Sequence, residues 1–240
     1  MTSPTPAQSK YIPESAPVYT PEYTPADAPL EILYEDAHLL VLNKPGGLLS
    51  VPGRGAEKQD CLSTRVQRRY PDALIVHRLD MQTSGLLAMA RGIEAQRAIN
   101  RAFEHRLVHK RYQAVVDGIA CVADNQEWGV IDLPLELDWP NRPKHIVDYV
   151  KGRPSVTRWR VLSPDPERHG TRLELEPVTG RSHQLRVHLQ AIGHPILGDD
   201  LYASAAAIAR ASRLLLHACE LNLPHPVTGV LMSFNSPPPF

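Results

Sequence analysis

The stretch "VHRLDMQTSGLLAMAR", Val76 to Arg91, decides how this chain folds. Arg78 stands two residues ahead of Asp80, a Thr-Ser-Gly turn follows, and an apolar run from Gly85 to Ala90 closes it. The run is too continuous for a surface strand and reads as one buried on both faces. The preceding "ALIVHRL" reads as extended too, so the side chains of residues 78 and 80 leave the same face. An arbitrary Asp before "MQTSG" is most often a turn cap. Here the flanks are apolar, and a carboxylate at a core edge is costly unless a cation pairs with it.

Outward from this stretch the pattern is that of an α+β domain: a mixed, mostly antiparallel sheet flanked by helices. "LEILYED" and "HLLVLNKP" read as strands meeting at Asp36-Ala37, and "NKPGG" as a Pro-Gly turn. "LSTRVQRRY" reads as a short helix. Gly92 to Leu107 reads as an amphipathic one, with Ala95, Ile99, Ala102 and Phe103 on one face. "KRYQAVVDG" returns as a strand. "TRWRVL" alternates, with Thr157, Trp159 and Val161 on one side, and "TRLELEP" turns Leu173 and Leu175 inward. "SHQLRVHLQAIGHP" reads as a helix capped by Ser182 and ended by Gly193 and Pro195. The C-terminal stretch reads as a hairpin turning at Pro226 to Gly229.

The first 29 residues carry seven of the 23 prolines and almost no aliphatic side chains, which predicts a disordered or extended tail before a single domain over residues 30–240. A hydrophobic content of 42% in 240 residues is enough for that one domain. No apolar run approaches the roughly 18 residues of a membrane span, and no secretory leader is visible. Cys61, Cys121 and Cys219 are odd in number and far apart, which fits a reducing cytoplasm better than a disulfide framework. With 26 basic and 26 acidic residues the chain lacks the basic excess usual for nucleic-acid proteins. A nucleic-acid face must therefore be local. "RVQRR" (Arg65 to Arg69), "HRLVHKR" (His105 to Arg111) and "GRSHQLRVH" (Gly180 to His188) are the candidates, against the plainer reading of solvated faces.

In the last cluster, His183, His188 and His194 suggest a metal site. His183 and His188 are five apart, about 140° around a helix, and no carboxylate lies between them as in a zinc protease, so a metal is not expected. Arg181 and Arg186 near a helix start suit an anion instead, a phosphate or a carboxylate such as Asp80. Tyr112, opening a strand, is ordinarily packing; with RNA it is a stacking surface. Motifs for nucleoside triphosphates, dinucleotides, serine hydrolysis and Cys-X-X-Cys zinc are missing.

These pieces, in this order, resemble the RluA-type pseudouridine synthases. "HRLDMQTSGLL" is similar to the family's catalytic-aspartate motif, "KRYQAVVDG" to its tyrosine motif and "GRSHQLRVHLQAIGHPILGDDLY" (Gly180 to Tyr202) to its arginine motif. "LLLHACELNLPHP" is similar to its closing strand and "LNKPGGLLSVPG" to its opening motif. The segment Asp132 to His145, and the tail standing where many relatives carry an extra RNA-binding domain, resemble the branch acting on both large-subunit rRNA and tRNA.

The resemblance implies isomerisation of uridine to pseudouridine in RNA, without metal or organic cofactor, by a cytoplasmic monomer whose partner is RNA and not membrane. It implies Asp80 as the catalytic carboxylate, either attacking C1′ as a nucleophile or taking a proton from the sugar. Arg186 would hold it through a planar two-pronged contact, Tyr112 would stack on a flipped uracil and assist proton loss from C5, and Arg78 would fill the vacated space or hold the flipped nucleotide. Lys110, Arg111, Arg181 and His183 are the expected contacts to backbone phosphates. A non-catalytic RNA assembly factor and a small-molecule hydrolase or lyase are the competing readings.

Overall fold

The computed structural model describes residues 23–123 and 126–240. Glu31–Glu35 (β1) and Leu39–Lys44 (β2) form an antiparallel pair. The turn between them is closed by Asp36, whose Oδ1 accepts the backbone N–H groups of His38 and Leu39 at 2.7 Å. Leu62–Arg69 (α1) and the three-residue strand Ala73–Ile75 (β3) lead to Ser84–Arg91 (β4). Ile93–Glu104 (α2) then returns to His109–Asp117 (β5). Gly129–Asp132 (β6), Leu135–Leu137 (β7) and His145–Val147 (β8) precede the long hairpin Val156–Asp165 (β9) and Gly170–Pro177 (β10). Gln184–Ala191 (α3), Ala205–Ile208 (α4), Leu216–Pro224 (β11) and Leu231–Asn235 (β12) complete the chain.

Ten strands join one sheet in the order β1-β2-β4-β11-β5-β10-β9-β6, with β12 on β11 and β3 on β4. Its pairings are antiparallel except β11 with β4. A separate hairpin, β7 with β8, stands off it.

The strand period of two sorts the central side chains into two cores. Leu39 and Val41 of β2, Leu86, Ala88 and Ala90 of β4, and Leu221 and Leu223 of β11 meet Ala95 and Ile99 of α2. The alternate residues Leu40, Leu42, Leu87, Met89, Leu216 and Ala218 join the larger core on the other face. Each fully buried Leu contributes about 1.5–3 kcal/mol, so both faces of β4 are covered, as the unbroken apolar run requires. The site lies where the larger core reaches the sheet's loops.

Two sequence expectations need correction. "ALIVHRL" is extended only over β3. Residues 76–83 form a loop, because His77 takes the Ala88 N–H on its own Nε2 at 2.9 Å and Ser50 brackets Leu79. The helix expected from Ser182 starts at Gln184, since His183 takes the left-handed conformation (φ 54°) and breaks the first turn. Thr157, Trp159 and Val161 do share a face, Trp159 opposite Leu175 and Val161 opposite Leu173. The hairpin β7–β8 and the strand β6 were not anticipated.

Residues 1–22 of the expected tail lie outside the described residues. Residues 23–29 have no helix or strand, yet they are docked. Tyr23 is buried and donates to the Asp60 carbonyl at 2.8 Å, and Arg65 donates to the carbonyls of Ala26 and Ala28.

Candidate active site

Asp80 sits within the loop that joins β3 to β4, and the backbone on both sides of it is gripped. Ser50 Oγ donates to the Leu79 carbonyl at 2.7 Å and accepts the Leu79 N–H at 3.1 Å. The ammonium of Lys44, with no exposed surface, donates to the carbonyls of Pro45, Leu48 and Met81 at 2.9, 2.7 and 3.0 Å. Gly47 N–H also reaches the Met81 carbonyl. The "NKPGG" turn is thereby tied to the residue after Asp80. Burial pulls the Lys44 pKa down to about 7, the Asp80 carboxylate works against this, and Arg213 adds to it. Three carbonyls match the three N–H groups of an ammonium, so the geometry holds Lys44 charged near neutrality.

Arg186, on α3, is 3% exposed. Its Nη1 lies 3.7 Å from Asp80 Oδ2, an ion pair without a hydrogen bond. The fork expected on Asp80 goes elsewhere: Nε and Nη2 donate to Asp199 at 2.8 and 2.7 Å, and Nη2 reaches Asp200 at 3.3 Å. The reason is burial. Asp199 has no exposed surface and also accepts the N–H groups of Leu201 and Tyr202, so its charge is fully hydrogen-bonded. The Asp80 side chain is 27% exposed and has no such need. Burial opposes the Arg186 charge, but the hydrogen bonds and charges of Asp199, joined by the Asp80 charge, outweigh it and raise its pKa. The arrangement offers Asp80 one guanidinium edge and leaves its partly exposed carboxylate without a hydrogen-bond donor among the described residues.

Tyr112 of β5 is 8% exposed. Burial first, then the Asp80 charge, pushes its pKa well above the usual phenol value, so its hydroxyl stays protonated at neutral pH. Lys110, two residues earlier, stands over the Phe103 ring at 5.6 Å and lies 3.7 Å from where a Cβ on Gly180 would stand. Burial lowers its pKa. Arg78 and Arg181 are exposed. Among the described residues, Arg78, Lys110 and Arg181 have no carboxylate partner.

Arg111 does not join them. It points to the other side of the sheet, paired with Glu174 at 3.1 Å and near Glu176 and Glu220. The cluster "RVQRR" is also structural: Arg65 forks onto Asp60 and Arg69 faces Glu35.

The three imidazoles of the last cluster separate. His183 Nδ1 bonds the Tyr202 hydroxyl at 2.7 Å, His188 lies between Thr157 and the Leu133 carbonyl, and His194 bonds the Asp117 carbonyl. Burial pulls the His183 pKa down to about 4, Asp80 opposes this, and Arg186 and His145 reinforce it. His183 is thus neutral near pH 7.

Lys44, Ser50, Asp199 and Tyr202 were missed as site residues. The first two lie in the opening motif and the last two in the arginine motif, but spacing alone carries no signal that they converge on residues 79–81 and Arg186.

The family model described as RNA pseudouridylate synthase matches residues 38–191. A protein of Escherichia coli strain K12 named dual-specificity RNA pseudouridine synthase RluA is 50% identical over 219 residues, covering 91% of this chain and 98% of that one. A protein of the same name from Yersinia pestis is 51% identical over 203 residues, covering 85% and 96%. The solved structure of human RNA pseudouridylate synthase domain containing 1 superposes with a TM-score of 0.72 at 28% identity, covering 88% of this chain and 84% of that one.

Proposed function

Since this chain belongs to the RNA pseudouridylate synthase family, we propose that it isomerises uridines in both 23S rRNA and tRNA anticodon stem-loops, with Asp80 as its catalytic carboxylate. That it is an isomerase making pseudouridine in RNA follows from the family. The dual target rests on the names of relatives about half identical in sequence. The observation that carries the assignment of Asp80 is its open carboxylate, fixed through its backbone and faced at 3.7 Å by a guanidinium whose fork is already occupied.

The reaction breaks the ribose C1′–N1 bond, turns the uracil and forms C1′–C5; N1 gains a proton and C5 loses one. Atoms and electrons balance without a redox partner, so no metal or organic cofactor is required. Asp80 supplies the negative charge at C1′ that starts cleavage. Arg186 holds that charge beside the sugar and, itself held by Asp199, keeps its direction. Tyr112 offers its ring as a stacking face for the flipped base, with a hydroxyl that acts as a donor and not as a base. Arg78, beside Asp80, fills the space the base leaves. Lys110 and Arg181 take backbone phosphates. The protein works as a monomer in the cytoplasm; its three free cysteines support the reducing compartment. Among the described residues no helix is long and apolar enough to cross a membrane.

The test is tritium release from uridine C5 in unmodified tRNA and in an unmodified 23S rRNA fragment. Release from both is expected. Release from one alone removes the dual target, and release from neither contradicts the proposal.

A further inference from the structure

His183 occupies a position that neither packing nor charge explains. It is one of three non-glycine residues with positive φ among the described residues, and it interrupts what would otherwise be the first turn of α3. Backbone held in that region is worth reading for function. Its ring is fixed from one side: the imidazole lies 5.1 Å from the His145 ring and 5.6 Å, edge-on, from that of Tyr202.

The hydrogen bonds set its tautomer. The Tyr202 oxygen accepts the backbone N–H of His145 at 2.8 Å. Its own hydrogen then has one acceptor within reach, His183 Nδ1 at 2.7 Å, and using it leaves no buried hydroxyl hydrogen unpaired. Nδ1 therefore accepts, and the proton sits on Nε2. Among the described residues Nε2 has no hydrogen-bond partner, and it is not a buried orphan either, so it faces open space. The charges of Asp80 and Arg186 both act on this ring, and the Arg186 guanidinium lies over the Tyr202 ring at 5.1 Å. Through Tyr202 and Arg186 the ring stands beside Asp80, which Arg186 Nη1 faces at 3.7 Å.

The geometry points to His183 as a specificity-determining residue whose Nε2–H donates to a carbonyl oxygen of the flipped uracil. This rests on the proposed uridine chemistry of Asp80 and deepens it. Tyr202 is the positioning residue, holding the tautomer. A neutral imidazole fits a carbonyl better than a phosphate. At the O4 edge such a donor also rejects cytosine, whose amino group presents hydrogens there.

The test compares wild type, His183→Ala and Asp80→Asn in single turnover on a stem-loop carrying uridine, 4-thiouridine or 2-thiouridine at the target, sulfur being a weak acceptor. His183→Ala is expected to convert uridine at least tenfold more slowly, with unchanged RNA affinity. One of the two thio substitutions is expected to slow the wild type at least fivefold and to leave His183→Ala unaffected, and which one does so identifies the oxygen read. Equal thio effects in wild type and His183→Ala, or no slowing of uridine by His183→Ala, overturn the proposal while the uridine chemistry stands. Conversion by Asp80→Asn at the wild-type rate removes the underlying reading instead. If His183→Ala does not fold, Tyr202→Phe takes its place: lost thio discrimination supports the proposal, and full discrimination overturns it.

Discussion

The two sides of β5 set out nearly the same residues to opposite effect. On one side Arg111, Arg158 and Arg160 gather around Trp128 at 5.6, 4.8 and 4.7 Å. Their charges are met by Glu127, Glu174, Glu176 and Glu220. On the other side, Lys110 stands over Phe103 with no carboxylate among the described residues, near Gly180, with Arg181 next in the chain. A basic count cannot separate these faces, and a net charge of zero hides both. The difference lies in partners. Cations already neutralised have little to offer a phosphate, whereas unpaired ones release counterions from RNA when they bind it. A near-neutral chain thus keeps a local RNA face by pairing its charges everywhere else.

Asp80 itself aside, the largest expected effect comes from breaking the support of Arg186. Asp199→Asn removes the fork from Arg186 and leaves a buried guanidinium short of charge; loss of a buried partner costs about 3–5 kcal/mol. Activity should fall by at least about 100-fold, from the misdirected guanidinium, and denaturant titration should show the lost stability. Normal turnover in a destabilised protein would separate Asp199 from catalysis.

Next comes the comparison of faces. Lys110→Ala and Arg181→Ala should each weaken RNA binding several-fold and lower the salt slope of log affinity by about 0.7–1. Arg111→Ala should leave that slope unchanged and cost about 0.2–1 kcal/mol of stability, as partly exposed pairs do. Filter-binding titrations from low to high salt check this, and an equal slope change for Arg111→Ala would erase the distinction.

The smallest effect is on pH. Burial holds His77 down to about 3, and His183 and His217 to about 4. As pH falls from about 6.5 toward 4, the unfolded chain takes up protons that the folded one refuses, so stability present above 6.5 is lost on acidification. The denaturant midpoint should be lower at pH 5 than at pH 7.5, a window above the carboxylate range. A midpoint that does not move would contradict neutral, buried imidazoles.

Much of the architecture was legible because periodicity is local. Alternation in "TRLELEP" and the unbroken run of β4 report burial directly. The loop at residues 76–83 was not legible, since what stops the strand is His77 bonding a residue eleven positions away. The partner of the Arg186 fork was missed for a similar reason. Sequence shows Asp80, Asp199 and Asp200 as equal carboxylates, and only burial decides that Asp199 takes the fork. The neutrality of His183 was equally hidden, since it comes from burial.

The most direct test of the account is single-turnover conversion of a target uridine by Asp80→Asn, with RNA affinity measured on the same protein. The change removes one charge and preserves shape. Unaltered binding with turnover reduced about 1000-fold or more is expected of a group at the centre of the chemistry. Turnover within tenfold of wild type would show that the Asp80 carboxylate does not start the reaction.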